Sequence, residues 1–225
     1  MENKLIIAID GPAGSGKSTV AKEVAKKLGL IYVDTGAMYR ALTLKAIKKN
    51  IDLTDSNALI NLAKNTEIRL ETDKDFKLSV KLDGKDVSGE IRTVFITNNV
   101  VHVACIGGVR REMVVLQRRA ASEKGAVLEG RDIGTVVFPD ADLKIYLDAS
   151  IDERVKRRYK ELVIKTPDIA IEEVKKDVAI RDKSDEERSV GPLKKADDAV
   201  LVDTTKMTIP EVVARILKEV KALKK

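Results

Sequence analysis

The segment G-P-A-G-S-G-K-S at residues 11–18 constrains this chain more than any other stretch. It satisfies the pattern G-x-x-x-x-G-K-S/T. It also lies between an apolar run at 5–9 and a helical pattern at 19–28, the strand–loop–helix setting in which that pattern has physical meaning. Gly11, Gly14 and Gly16 let the backbone bend until successive N–H groups converge on phosphate oxygens. The helix that follows adds the partial positive charge of its N-terminus. Lys17 is long enough to reach terminal phosphates, and the Ser18 hydroxyl is suited to join the coordination of Mg²⁺. The expected ligand is a nucleoside triphosphate, with Pro12, Ala13, Ser15 and Thr19 completing its cradle. A glycine-rich turn without a ligand is the bland alternative, and the flanking pattern argues against it.

Four further apolar runs, at 30–33, 126–128, 143–147 and 199–202, share with 5–9 a lack of period-two alternation. Strands buried on both faces of a parallel sheet read this way. Helical patterns separate them, so the expectation is an α/β fold of the P-loop NTPase type: three layers around a five-stranded parallel sheet with right-handed crossovers. The last helix is the clearest. Ile209, Val212, Val213, Ile216, Leu217 and Val220 form one stripe at helical spacing, and Thr208 with Glu211 forms a capping box ahead of it.

One stretch breaks this rhythm. Phe76, Leu78, Val80 and Leu82 alternate with polar residues and lead into Asp83-Gly84. With Ile68 and Leu70 they predict a small antiparallel sheet with one wet face, inserted between the second and third core strands. The expected division is a core at 1–36, 105–153 and 190–225, an insertion at 37–104 and a helical lid at 154–189.

The chain has 225 residues, enough for one domain with a sizeable core. No apolar run approaches the roughly 20 residues that cross a bilayer. A single cysteine, Cys105, allows no internal disulfide, and a cytoplasmic location is the simplest expectation. The net charge of +6 fits either nucleic-acid binding or a small phosphorylated substrate in a charged site. Aromatic residues are only 3%, which argues against stacking platforms for single strands and so against a nucleic-acid partner. Nothing demands a dimer, so a monomer is the default.

No N-K-x-D guanine-reading sequence is present, which argues against a GTPase. Arginines abound away from the cradle, as transfer between two phosphorylated molecules requires: the acceptor phosphate needs one cationic clamp and the transferred group another. Two segments carry a specific resemblance, D-T-G-A-M-Y-R at 34–40 and E-G-R-D-I-G-T-V-V-F-P-D-A at 129–141. With G-P-A-G-S-G-K-S-T and S-G-E-I-R at 88–92, the chain resembles the bacterial cytidylate kinases over nearly its whole length. The resemblance implies ATP-dependent phosphorylation of CMP and dCMP. It places Arg40 and Arg131 on the acceptor phosphate, and Thr35, Arg110, Asp132, Arg181, Asp185 and Arg188 on base and sugar. Glu129 stands where an acidic residue helps hold the metal's water shell. The chain departs from the family pattern at Val101, where a base-contacting serine is usual.

Several of these residues have competing readings from their own chemistry. Arg181, Asp185 and Arg188 share a helix face by spacing, which alone favours a solvated salt-bridge ladder. Arg154, Arg157 and Arg158 are either a basic helix surface or lid arginines, Arg154 and Arg158 acting in transfer beside Lys17 and Arg131. Asp132 beside Arg131 reads as a simple charge pair, and the face opened by Arg110 and Arg111 as solvated. Asp34 reads as a helix cap, His102 as structural or surface, and Cys105 as packed. Other acceptors such as UMP, and a nucleic-acid-stimulated ATPase, remain as alternatives.

Overall fold

The computed structural model describes residues 4–121, 124–164 and 166–223. Its main sheet has five parallel strands: β1 (Ile6–Asp10), β2 (Ile31–Asp34), β6 (Ala126–Gly130), β7 (Leu143–Asp148) and β8 (Val200–Asp203), in the order β2-β6-β1-β7-β8. Each begins or ends within two residues of the expected apolar run. All five end in the same direction, so the loops after them crowd one carboxyl edge, where such sheets take ligands.

Alternate residues feed two cores. Ile7 and Ile9 of β1, Val127 of β6 and Ile145 of β7 face α1 (Lys17–Leu28) and α8 (Ile209–Ala222). The expected α8 stripe supplies Val212, Val213, Ile216 and Val220, all buried. Thr208 opens this helix, and its backbone N–H donates to Glu211 Oε2 at 2.8 Å, the return half of a capping box.

Ala8 and Leu128 face the opposite way, towards α2 (Thr35–Lys48) and α5 (Gly107–Ala121). The same core runs on into the insertion. There α3 (Ser56–Lys64), α4 (Val94–Ala104) and a three-stranded antiparallel sheet of β3 (Ile68–Thr72), β4 (Leu78–Leu82) and β5 (Lys85–Asp86) pack on α2 through Leu59, Val80, Leu82, Val100 and Val103. Asp83 and Gly84 both have positive φ, 47° and 83°, which suits the two-residue hairpin between β4 and β5.

A third, small cluster is private to the arm formed by α6 (Ile151–Val163) and α7 (Ile171–Glu187): Val155, Val174 and Val178. The arm thus carries its own apolar contacts and meets the core through polar ones. Cys105, expected to be packed, is exposed. It caps the end of α4, two residues past the last inward step of the Ile96–Val100–Val103 stripe, and its Sγ lies 3.2 Å from the His102 carbonyl. Among the described residues no helix is long and apolar enough to cross a membrane.

Candidate active site

The loop after β1 folds as a cradle. Gly11 has φ +149°, and a Cβ there would lie 2.0 Å from the Leu147 carbonyl oxygen of β7. Gly14 has φ +78°, and its Cβ would meet the Arg154 backbone at 2.8 Å. Both positions therefore require glycine, for conformation and for close approach. Gly16 is the left-handed N-cap of α1, which leaves that helix's first N–H groups directed at the loop. Pro12, Ala13 and Ser15 are buried, whereas Ser18 and Thr19 are exposed.

Lys17 lies curled into this loop, its Nζ donating to the Pro12 carbonyl at 2.6 Å and reaching Ser15 Oγ at 3.3 Å. Burial, with Arg131 close by, lowers its ammonium pKa. Ser18 Oγ donates at 2.5 Å to Glu129 Oε1, which also accepts from the Tyr32 hydroxyl at 3.2 Å. Burial, reinforced by Asp34, raises the Glu129 carboxyl. Both shifts arise from charge removed from water, and both groups lie where a polyphosphate and a cation would compensate them.

The arm is pinned to the cradle. Arg154, 8% exposed, donates to the Ala149 and Ala13 carbonyls and pairs with Asp182 of α7 at 2.5 Å. Arg157 reaches the Thr204 carbonyl at 2.8 Å and the Gly14 carbonyl at 3.5 Å. Arg158, one residue further on, pairs instead with Glu161 of its own helix.

Beside the cradle lies a second, cationic region assembled from four stretches of chain. Asp34 ends β2 and caps α2, accepting from Ala37 N at 2.7 Å while pairing with Arg40 at 3.2 Å, so the capping role expected for it is present. Thr35 Oγ1 donates to the Glu129 carbonyl at 2.7 Å, tying α2 to the end of β6. Arg131 Nε pairs with Asp185 Oδ2 at 2.6 Å. Asp185 in turn meets Arg188 at 3.2 Å. Burial alone would raise the Asp185 carboxyl, but Arg131 and Arg188 hold it below its ordinary value. Arg181 has no ion-pair partner among the described residues. Burial and the nearby Arg131, with further contributions from Arg158 and Arg40, pull its guanidinium down to about 10.

Three expectations drawn from spacing alone are corrected here. Of the ladder that spacing offers to Arg181, Asp185 and Arg188, only the Asp185–Arg188 pair is present, and Asp185 turns as well to Arg131, 54 residues away. Asp132 does not pair with its neighbour Arg131 but with Arg110, and at 3.8 Å with Arg188. Arg110 is 3% exposed rather than solvated, its guanidinium 5.5 Å over the Tyr39 ring and its Nη1 bonded to the Ala104 carbonyl. Two guanidinium nitrogens in this cluster, Arg110 Nε and Arg188 Nη2, are buried without a hydrogen-bond partner. Val101 is half-buried on α4 and His102 is exposed.

Spacing missed other members of the site. Asp182 follows Arg181 directly and holds Arg154, and Tyr39 precedes Arg40 and supports Arg110. Asp10, a charged residue closing a buried strand just before the first glycine, was a visible signal.

Comparison with known proteins accords with this geometry. The cytidylate kinase family model matches residues 7–222. A cytidylate kinase of Desulforamulus reducens is 56% identical over 94% of this chain and 94% of its own length. That of Bacillus subtilis is 52% identical over 98% of both. An uncharacterised protein from Eubacterium ventriosum, 14% identical, superposes with a TM-score of 0.52 over 97% of this chain and 99% of its own, a likeness of fold alone. Matched by the family model over residues 7–222 and by such relatives over nearly its whole length, the chain belongs to the cytidylate kinase family.

Proposed function

We propose that the protein transfers the γ-phosphoryl group of MgATP to the phosphate of CMP, and of dCMP, by direct in-line displacement. The observation that carries this is the proximity of Arg131, Arg158 and Arg40 to the half-buried Arg181, whose guanidinium all three destabilise. Asp34, Asp185 and Glu161 are paired with three of them, whereas Arg181 has no ion pair of its own among the described residues and only shares the field of Asp185. Such an excess of cations suits a second phosphate held next to the first.

In this scheme residues 11–19 wrap the ATP phosphates, and Lys17 exchanges the Pro12 carbonyl for phosphate oxygens. There its ammonium offsets the negative charge that develops in the transition state. Ser18 and Glu129 offer only oxygen donors, which fits Mg²⁺, an ion that takes few protein oxygens and keeps phosphate and water ligands. Ser18 and Glu129 would hold the ion, which would supply charge neutralisation to the donor polyphosphate. Arg40 and Arg131 grip the acceptor phosphate. Thr35, Arg110, Asp132, Arg181, Asp185 and Arg188 read base and sugar, the two unpartnered guanidinium nitrogens of Arg110 and Arg188 being free to donate. Arg154 holds the cradle and Arg158 turns from Glu161 to the transferring group. The acceptor is already an anionic oxygen, so no general base is needed, and catalysis is positioning plus electrostatics.

We assign the donor site to the core (1–36, 105–153, 190–225), acceptor binding to the insertion (37–104) and its neighbours, and closure to the arm (154–189). A cytoplasmic monomer without a nucleic-acid partner completes the proposal. The test is ADP formation from MgATP with CMP, dCMP, UMP, AMP, GMP or shikimate offered separately. Strong turnover with CMP and dCMP, weak with UMP and none with the others is expected. Turnover with a different acceptor overturns the base assignment. No turnover until RNA or DNA is added replaces the proposal with a nucleic-acid-stimulated ATPase.

A further inference from the structure

Asp10 is the last residue of β1, and the phosphate cradle starts at the next position. Its side chain does not point into the cradle. Oδ1 accepts from Ile133 N and Oδ2 from Gly134 N, each at 2.8 Å, in a site where Asp10 is only 5% exposed. These two N–H groups open a single π turn, Ile133–Val137. A turn this short does not form by itself, because its first donors have no partner within it.

The turn begins at Asp132, whose carbonyl accepts from both Val136 N and Val137 N, so its placement sets the backbone of Arg131 and Asp132. The sheet cannot do this, since the β1–β6 ladder ends with Asp10 opposite Gly130. Beyond that rung, the Asp10 carboxylate is what ties residues 133–134 to the strand carrying the cradle. A carboxylate has two equivalent acceptor oxygens and so matches two adjacent N–H groups, which a single amide or hydroxyl oxygen does less well. Burial pushes this carboxyl up to about 6, a cost the contact bears to keep both bonds.

We infer that Asp10 is a positioning residue of the transfer reaction, setting the distance between donor and acceptor phosphates by holding the turn that carries Arg131 and Asp132 against the root of the phosphate cradle. This rests on the reading of Arg131 and Asp132 as acceptor-side residues. A displacement of the order of 1 Å between reacting groups costs about 10²-fold in rate, so a slackened tie acts on turnover before it acts on binding.

The experiment is steady-state assay of Asp10→Asn with MgATP and CMP, measuring kcat, both KM values and the ratio of ADP to CDP, with thermal unfolding in parallel. Asn keeps the shape but turns an N–H toward one of the two donors. The expected result is a kcat lowered by about tenfold or more, with KM for ATP changed by less than about twofold. ADP should also exceed CDP, because water competes for a misplaced γ-phosphate. A folded variant with unchanged kcat and a 1:1 product ratio, whatever its Tm, overturns the inference. If Asp10→Asn does not fold, Asp10→Ser, which leaves space instead of a mispaired amide, is judged by the same criteria. Arg131→Ala separates the two failures: an unchanged KM for CMP there overturns the acceptor reading itself. A raised KM there with normal turnover in Asp10→Asn overturns only the role of Asp10.

Discussion

On the proposed donor side, residues 11–18 follow one another along the chain and offer mainly backbone. Beside them the proposed acceptor side draws side chains from β2 and α2, from α5, from the end of β6 and from α7 and the turn after it. The proposed donor side has its shape from glycine geometry and a helix N-terminus, with Lys17 bonded inside the loop to Pro12 and the arm holding its carbonyls from outside. The acceptor side has its shape from ion pairs spanning tens of residues, Arg131 to Asp185 and Arg110 to Asp132 among them. A backbone cradle is preorganised once the loop has folded. A side-chain cluster must exchange some of its internal pairs for the ligand, so its affinity and selectivity depend on every partner.

The contrast has consequences of different size. Lys17→Ala should act mainly on turnover, lowering kcat on the order of 10³-fold, because this charge matters most as negative charge develops in the transition state. A loss confined to KM for ATP would show that the cradle only binds. Asp132→Ala should act mainly on the acceptor, raising KM for CMP about 10- to 100-fold and weakening discrimination against UMP, since it strips a buried partner from Arg110 and Arg188. If Asp132→Ala impaired ATP binding instead, the two sides would not be separable.

The arm tests the boundary between them. Arg154→Ala should cost about tenfold in kcat/KM by releasing the Ala13 carbonyl and Asp182. Arg158→Ala should lower kcat less, by a few-fold, because its present partner is an exposed glutamate on the same helix. Unchanged turnover in both would remove the arm from catalysis. The smallest effect belongs to a position outside both sides. Asp55 caps α3 by accepting from Ala58 N at 2.9 Å, and Asp55→Ala should cost about 1 kcal/mol, or roughly 2–4 °C in Tm, with kinetics unchanged. Kinetic changes there would mean that the insertion transmits strain to the site.

Much of the architecture was readable before folding. The apolar runs became the five strands, Leu78–Leu82 of the alternation became the middle strand of the small sheet while Phe76 fell in the turn before it, and the Thr208–Glu211 pair became a helix start. These signals are local, since each depends on residues within a few positions. Cys105 was misread because an apolar neighbourhood in sequence is not one in space: its position at the end of α4 turns it outward. Spacing alone does not find the partners of Asp185 and Asp132, because the nearest opposite charge along the chain is not always the nearest across the fold.

By itself, then, the sequence determined the α/β frame, the phosphate cradle at residues 11–18 and, through its resemblance, the family. Periodicity, glycine conformation and helix capping act between residues close along the chain. Only the tertiary structure decided that Arg131 binds Asp185, that Arg110 is buried over Tyr39 beside Asp132, and that Asp10 ties the cradle to the turn at Ile133. Electrostatic and hydrogen-bond partners are chosen by distance and burial. Those quantities exist only after the sheet edge, the insertion and the arm have packed together.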